Sequence, residues 1–354
     1  MEPLRVRQGS VKNILIFKEP KPNSPGQGIF EFLDYFSVFD WGRFSKDPIE
    51  FKGVAMAAIA KKYFELLEKE GIKTHYRGMS NLNKMKIVLV NIPEAYKKVE
   101  PNTRNYLLPI EIIFRNYIHP QSSDLKKIKE GKITFQKLGY EEMPEANKKL
   151  SKPKISYSTK LEETDRLLTK EEARILAGLT GKEMEELEKL ALKVNEIISD
   201  HSEKAGLIHY DGKIEVAKDI NGDFMVVDVV GSLDEDRFMM EIKKGKYVDI
   251  SKQFIRDWFI AQGWKKVVDE AKKKAKEKKE RNWKIFCQEP PKLPKKIKKL
   301  LTQMYLADAK TRAGERLEKN LAVKIYPLKE IAKKMYLCLN PTFEFKQIQL
   351  LKFI

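Results

Sequence analysis

Cysteine and histidine are scarce in this sequence, which contains two cysteines and four histidines. The two thiols, Cys287 and Cys338, cannot build a disulfide framework or a four-cysteine zinc site, and they are typical of a cytosolic protein. The histidines show neither HExxH nor HxH spacing, which argues against a zinc enzyme. No apolar run of about 18 residues occurs, and the N-terminus lacks the apolar region of a signal peptide. We therefore expect a soluble cytoplasmic protein that has no membrane partner.

Positive charge is abundant, with a formal net charge of +18 over 354 residues. Such a charge suggests nucleic acid as a partner. However, residues 264–300 alone hold 15 Lys or Arg against 5 Asp or Glu, and a lysine run on a helix is usually a solvated face. No known nucleic-acid motif accompanies this stretch, so nucleic acid is the less favoured partner. The excess of Lys and Glu is typical of thermophile proteins.

The pattern of apolar residues predicts an α+β protein of roughly two domains. Helical spacing covers residues 53–70, 169–204 and 251–282, with capping boxes at Thr169 and Thr180. Residues 119–160 are expected to be mostly loop. Predicted strands are Val11–Phe17, Phe30–Phe39, Ile87–Val90, Leu107–Phe114, Leu207–Ala217 and Phe224–Val230. The last two strands should form a hairpin, because an Asn-Gly pair lies between them.

The most informative charged residues lie in this predicted hairpin. Asp211, Lys213 and Glu215 alternate along one strand, so their side chains share one face of the sheet. Asp228 ends the partner strand, and antiparallel pairing can bring it near Glu215. Two such carboxylates would supply hard oxygen ligands for Mg²⁺, which commonly binds one or two carboxylates plus substrate phosphates. From spacing alone, a hairpin with a solvated charged face explains the pattern equally well.

Seven short blocks add to this pattern. They are Gly9-Ser10-Val11-Lys12, residues 36–40 (FSVFD), Lys52-Gly53, residues 107–123 (LLPIEIIFRNYIHPQSS), residues 157–165 (YSTKLEETD), residues 211–238 (DxKxE, the hairpin, then DxVxxxDxxRF) and residues 251–258 (SKQFIRDW). In this order they resemble the SAICAR synthetase (phosphoribosylaminoimidazole-succinocarboxamide synthase) family. The resemblance covers about residues 5–260 and does not extend to the C-terminal part of the chain.

The resemblance implies a two-lobed fold of antiparallel sheets with an ATP cleft between the lobes. Residues 1–100 would be the lobe that covers ATP, residues 101–287 the larger lobe with the Mg²⁺ and substrate sites, and residues 288–354 a helical extension. The implied reaction is the ATP-dependent ligation of L-aspartate to the carboxylate of the ribonucleotide CAIR in purine biosynthesis. The implied cofactors are ATP and Mg²⁺. Family members are often dimers or larger, so the resemblance is compatible with a homo-oligomer.

The resemblance also implies roles for individual residues. Asp211 and Lys213 would face the reacting groups, Lys213 as a charge stabiliser. Lys12 and Val11 would bind ATP, and Glu215 and Asp228 would bind both ATP and the metal. Substrate binding would fall to ten residues: Asp40, Lys52, Arg115, Ser122, Ser123, Lys160, Arg237, Lys252, Gln253 and Arg256. His119 is expected to be structural, because a lone histidine needs a partner to act as a base.

Three departures from the family pattern bear on the substrate. Ser10 replaces a lysine, Gln121 replaces a glycine, and Val229 replaces a glutamate. Together these changes are compatible with a paralogue that has an altered substrate or with a divergent branch that has the same activity. One alternative is a small-molecule kinase of the inositol phosphate type, and another is a non-enzymatic protein whose lysine-rich stretch binds nucleic acid.

Overall fold

Two antiparallel sheets form the framework of the computed structural model, which describes residues 2–163 and 165–339. The first sheet has the strand order β1-β2-β3-β5-β4. Its strands are β1 (Arg5–Gln8), β2 (Lys12–Lys18), β3 (Gly26–Phe32), β4 (Tyr76–Asn81) and β5 (Lys84–Leu89). The helix α1 (Lys52–Lys69) packs against this sheet with a face of small and aromatic residues.

The second sheet has the order β13-β12-β10-β7-β8-β9, with β6 and β11 also paired to β10. Its strands are β6 (Tyr106–Leu107), β7 (Ile110–Tyr117), β8 (Lys149–Thr159), β9 (Leu167–Leu168), β10 (Leu207–Lys218), β11 (Phe224–Val227), β12 (Arg237–Lys243) and β13 (Lys246–Asp249). The long strand β10 changes partners along its length. Residues 211–214 pair with β7, whereas residues 215–218 pair with β11. The change of partner falls within the alternating charged residues that the sequence singled out.

Helices surround the second sheet. They are α2 (Ser123–Lys129), α3 (Lys170–Leu176), α4 (Gly181–Glu203), α5 (Gln253–Ala261) and α6 (Trp264–Glu277). The capping boxes expected at α3 and α4 are both present, with Thr169 and Glu172 in one and Thr180 and Glu183 in the other. These reciprocal bonds satisfy backbone N–H groups that a helix leaves unpaired at its start.

The C-terminal part of the chain is helical, as predicted, and packs on the body of the protein. A 3₁₀ turn (Trp283–Phe286) precedes α7 (Lys295–Asp308), a π-helical turn (Ala309–Ala313), α8 (Leu317–Leu321) and α9 (Leu328–Leu339). Helix α7 packs against α1, and α9 packs against β12 and β13. Residues 340–354 of the predicted extension, and Thr164 of the YSTKLEETD block, lie outside the described residues.

Two local predictions were wrong. The strand expected over Phe30–Phe39 ends at Phe32, because the carboxylate of Asp34 accepts the backbone N–H groups of Phe51 (3.1 Å) and Gly53 (2.8 Å) and turns the chain toward α1. The region expected to be mostly loop contains β8, an eleven-residue strand. The first half of β8 is exposed and rich in lysine, so it lacks the apolar alternation that marks a strand.

Much of the positive charge on α6 has local partners. Lys272 forms an ion pair with Asp40 at 2.5 Å, and its Nζ atom lies 5.0 Å from the centre of the Trp283 ring. Lys274 lies 5.1 Å from the ring centre of Phe286. Such cation–π contacts hold the amphipathic lysine stems against the 3₁₀ turn. In the part of the chain that the structure describes, we find no helix long and apolar enough to cross a membrane.

Candidate active site

A cavity of about 1120 Å³ lies over β7 and β10, at the end of β10 where charged residues alternate. Its sides are formed by α2, the start of α5 and residues 233–236. The cavity is polar and charged, which distinguishes it from the mostly apolar pockets of drug-like ligands. Nine of the sequence-predicted site residues line this cavity: Arg115, Ser122, Ser123, Asp211, Lys213, Arg237, Lys252, Gln253 and Arg256.

Lys213 lies at the centre of a network of carboxylates. Its Nζ atom is 2.6 Å from Glu111, 3.1 Å from Glu235 and 3.4 Å from Glu215. Burial alone would lower the pKa of Lys213, but these three carboxylates raise it well above its ordinary value. Lys213 therefore stays protonated at neutral pH, so it can stabilise negative charge but cannot serve as a general base.

Next to this network, Lys160 and Lys12 each pair with one carboxylate of the hairpin. Lys160 lies 2.5 Å from Glu215, and Lys12 of β2 forms an ion pair with Asp228. Glu215 is paired with Val227 in the ladder between β10 and β11. Because Asp228 is the next residue after Val227, it lies beside Glu215. The structure therefore brings together Lys12, Glu215 and Asp228, which the sequence analysis expected to converge, and adds Lys160 and Lys213 to them.

The two hairpin carboxylates have opposite pKa shifts. Burial and the charge of Asp228 raise the pKa of Glu215. Burial would also raise the pKa of Asp228, but Lys12, Lys160 and Lys213 lower it below its ordinary value. Within the described residues, no group of three or more His, Cys, Asp or Glu could hold a metal by itself.

Asp211 and Arg115 are more enclosed than the sequence suggested. Both oxygens of Asp211 accept from Arg237, at 2.7 and 2.5 Å, and Arg115 Nε lies 3.6 Å from Asp211. Arg115 also donates to Asp124 at 2.5 Å. Asp211 and Arg115 are each only 5% exposed. Asp211 thus orients Arg237, and its oxygens are already engaged.

His119 is structural, as expected. Its Nε2 atom lies 3.0 Å from Asp249, and its Nδ1 atom accepts from Arg237 at 3.0 Å and from the backbone N–H of Gln121 at 3.1 Å. This set of partners fits a neutral ring with the proton on Nε2. The histidine therefore holds Arg237 in place and is not free to take a proton from a substrate.

The opposite wall of the cavity holds cations that lack carboxylate partners. Lys252 and Arg256 are partly buried there, and neither forms an ion pair within the described residues. Burial lowers the pKa of both groups. Ser122 caps α2 by accepting from the N–H of Asp124 at 3.2 Å, and Ser123 lies beside it. Partly buried, unpaired cations of this kind are suited to an anionic ligand.

Three of the predicted site residues neither line this cavity nor belong to the cluster of lysines and carboxylates beside it. The side chain of Asp40 is 82% exposed and pairs with Lys272. Lys52 is fully buried in an ion pair with Asp234 at 2.8 Å. The carbonyl oxygen of Val11 accepts the backbone N–H of Leu33 at 3.0 Å.

The sequence analysis gave no role to several acidic residues that line the cavity, among them Glu111, Asp234 and Glu235. Glu111 could have been found, because it interrupts an apolar strand (IEIIF). Glu235 had no such signal, since it lies in a run of acidic residues typical of a surface loop. The structure places it on Lys213.

An apolar patch lies between the two sheets, close to the hairpin carboxylates. Leu107, Ala217, Met225 and Val227 form it, with Val88 and Val90 of the first sheet packed against them. A second cavity, of about 430 Å³, opens at this patch. At the Val227 end of the patch, Asp228 follows directly in the chain and pairs with Lys12.

The fold and cavity together define a two-lobed α+β protein with a charged cleft suited to anionic ligands. A family model described as SAICAR synthetase matches residues 5–271. This match covers well over half of the chain, so the chain belongs to the SAICAR synthetase family.

The relatives agree with this assignment. A protein of Archaeoglobus fulgidus, provisionally named phosphoribosylaminoimidazole-succinocarboxamide synthase, is 36% identical over 316 residues, which are 84% of this chain and 91% of that protein. The phosphoribosylaminoimidazole-succinocarboxamide synthase of Thermoplasma volcanium is 35% identical over 238 residues, which are 67% of this chain and 79% of that one. These archaeal relatives fit the thermophile composition of the sequence.

Solved structures of SAICAR synthetases have the same fold as this chain. A SAICAR synthetase (Type-2) in complex with ADP is 27% identical, with a TM-score of 0.54 over 71% of this chain and 90% of that chain. The SAICAR synthase of Saccharomyces cerevisiae, in complex with SAICAR, has a TM-score of 0.64 over 89% of this chain and 98% of that chain. At 18% identity the yeast structure shows the fold alone. The predicted family and α+β fold are confirmed, and so is the prediction of a ligase of purine biosynthesis.

Proposed function

We propose that this protein joins the carboxylate of CAIR to the amine of L-aspartate with ATP, giving SAICAR, ADP and phosphate. The observation that carries this proposal is the meeting of three lysines and two hairpin carboxylates between the sheets. Lys12, Lys160 and Lys213 are paired there with Glu215 and Asp228. These groups adjoin both the apolar patch and the large cavity, so one ligand can span the three regions.

ATP would lie with its base on the apolar patch and its phosphates toward Lys12. The patch has the apolar character that an adenine ring requires, and Lys12 pairs with Asp228, the residue that follows Val227 of the patch. Glu215 and Asp228 fit Mg²⁺, because they are two adjacent carboxylates and Mg²⁺ completes its shell with phosphates and water. The bound ion would neutralise charge on the transferring phosphoryl group.

CAIR would occupy the large cavity. Lys252 and Arg256 lack carboxylate partners there, and Ser122 and Ser123 offer hydroxyl groups at the start of α2. Arg237 is held rigidly by Asp211 and His119, which suits it to bind a carboxylate or phosphate in one orientation. Lys160 and Lys213 would then lie between this substrate and the ATP phosphates.

The chemistry requires an activated carboxylate, because a carboxylate has no good leaving group. A carboxylate oxygen of CAIR attacks the γ-phosphorus of ATP, the bond to the bridging oxygen breaks, and ADP leaves. The amine nitrogen of L-aspartate then attacks the carbonyl carbon of this acyl phosphate. The C–O bond to phosphate breaks, phosphate leaves, and the nitrogen loses a proton to solvent. Charge gathers on the transferred oxygens in both steps, and the permanently protonated Lys213 stabilises it.

The test is an assay of ADP release with CAIR, run with and without L-aspartate. We expect release that depends on L-aspartate, with SAICAR as the product detected by mass spectrometry. ADP release that is equal without L-aspartate would indicate a kinase and would contradict the ligase. No ADP release, combined with salt-dependent binding to oligonucleotides, would favour the nucleic-acid alternative.

A further inference from the structure

The C-terminal extension holds the loop that carries the cavity acids. This loop, residues 228–236, connects β11 to β12 and contains Asp228, Asp234 and Glu235. Tyr305 of α7 donates to Asp234 Oδ1 at 2.6 Å. Arg312, from the π-helical turn, donates to the carbonyl oxygen of Gly231 at 2.7 Å. Both contacts are buried, so the extension fixes the loop from the side away from the cavity.

Tyr305 and Lys52 together occupy both oxygens of Asp234. Lys52 lies 2.8 Å from Oδ2, while Tyr305 binds Oδ1, and the side chain of Asp234 is fully buried. Burial would raise the pKa of Asp234, but Lys52, the charge of Lys252 and the two hydrogen bonds lower it to about 2. Asp234 is therefore an ionised carboxylate with no free oxygen.

The two unpaired cations line the same cavity as Asp234, and the backbone N–H of Lys252 donates to the carbonyl oxygen of Leu233, the residue before Asp234, at 2.7 Å. Asp234 is the acidic group that acts most strongly on the charge of Lys252, and it acts on Arg256 as well. Yet neither cation forms an ion pair with it in the described chain. Without the hydroxyl of Tyr305, Asp234 Oδ1 would be open to pair with one of these cations.

We propose that Tyr305 is a positioning residue: by occupying Asp234 it keeps Lys252 and Arg256 available for the anionic substrate. The C-terminal extension would accordingly be required for substrate affinity as well as for folding. The choice of CAIR as the anionic substrate rests on the proposed function. The positioning role itself needs only that the cavity takes an anion.

The variant Tyr305→Phe removes the hydroxyl and keeps the ring. We expect the KM for CAIR to rise about tenfold, the size of one hydrogen bond, while kcat and the KM for ATP stay nearly unchanged. The matched control is Tyr106→Phe, because Tyr106 is also buried and donates to the carbonyl of Ala177 at 2.7 Å, away from the large cavity. A lower Tm with an unchanged KM for CAIR would mean a purely structural role and would overturn the proposal.

A double-variant cycle tests whether Tyr305 acts through Lys252. We expect Tyr305→Phe to raise the KM for CAIR by a much smaller factor in a Lys252→Met background than in the wild-type background. Additive effects would contradict the proposed route.

A labelling experiment separates this proposal from the proposed function. Lys252 is acylated with an amine-specific reagent in the ligand-free protein and quantified by mass spectrometry. In Tyr305→Phe we expect its reactivity to fall, because a new ion pair with Asp234 would keep it protonated. Unchanged reactivity would overturn the positioning role, even if SAICAR forms. If the wild type forms no SAICAR but reactivity falls, the proposed function fails and the positioning role stands.

Discussion

Lys12 and Asp228 form an ion pair that joins the first sheet to the hairpin of the second. Lys12 is the first residue of β2, and Asp228 follows β11 with a left-handed φ of 65°. A non-glycine residue in this conformation is uncommon and indicates a constraint imposed by its surroundings. The pair closes the gap between the lobes at the point where the proposed ATP phosphates and metal would lie.

The first prediction concerns the hairpin carboxylates. We expect Asp228→Asn and Glu215→Gln each to lower kcat by at least about a hundredfold, because each loses charge that would hold the metal and the phosphates. The isosteric amides keep the volume, so circular dichroism and Tm should show a folded protein. Asp223→Asn is the control, since Asp223 lies five residues from Asp228 and its side chain is 58% exposed. Wild-type turnover in either variant would exclude a role in the reaction.

A second prediction concerns the stability of the protein in mild acid. Burial lowers the pKa of His75 to about 4, whereas an unfolded histidine titrates near 6.5. Between these two values the unfolded chain binds a proton that the folded chain does not, so folding stability falls as the pH falls. The loss should total about 3 kcal/mol and be complete near pH 4.

The variant His75→Phe isolates this effect. The ring of His75 packs between Phe30 and Phe64 at 5.2 Å from each, so phenylalanine fits the site. We expect urea denaturation of this variant to show a weaker pH dependence between pH 6.5 and 4 than the wild type shows. Equal pH dependence in the two proteins would contradict the assignment.

A third prediction concerns the buried ion pair of the extension. Arg312 donates two bonds to Asp308, at 2.5 and 2.6 Å, and another to Tyr63 at 2.9 Å, and its side chain is fully buried. We expect Arg312→Met to lower the free energy of unfolding by about 3–5 kcal/mol, because Asp308 stays buried without its partner. The double variant Asp308→Leu with Arg312→Met should be more stable than Arg312→Met alone.

Chemical denaturation measures these free energies. The control is Lys193→Met, which removes an exposed ion pair with Glu196 and should change stability by less than about 1 kcal/mol. If Arg312→Met were no more destabilising than this control, the extension would not depend on the pair.

A fourth prediction concerns Gly212, in the floor of the large cavity. A Cβ atom at this position would overlap the carboxylate of Asp236, which lies 3.0 Å from His209 in a fully buried pair. We expect Gly212→Ala to destabilise the protein by about 1–3 kcal/mol, because the pair must shift. Gly181→Ala is the control, since nothing lies within 4 Å of its added Cβ at the start of α4, and it should be neutral or slightly stabilising. Equal Tm values for the two variants would contradict the prediction.

The sequence alone determined the features that depend on local spacing. The hairpin of β10 and β11, the capping boxes of α3 and α4, and the shared face of Asp211, Lys213 and Glu215 all follow from residue types a few positions apart. The ordered blocks were also sufficient to identify the family. These features need no long-range contact, because strand alternation and helix capping are properties of short segments.

The tertiary structure decided which charged groups remain available. The family resemblance implies that Lys52 binds substrate. In the structure, Lys52 is buried in an ion pair with Asp234, which lies 182 residues further along the chain. The same carboxylate accepts a hydrogen bond from Tyr305, which lies in an extension to which the sequence analysis assigned no role. Whether a lysine binds a ligand or a neighbouring carboxylate depends on which acids the fold brings within about 4 Å, and the spacing of residues along the chain does not encode this.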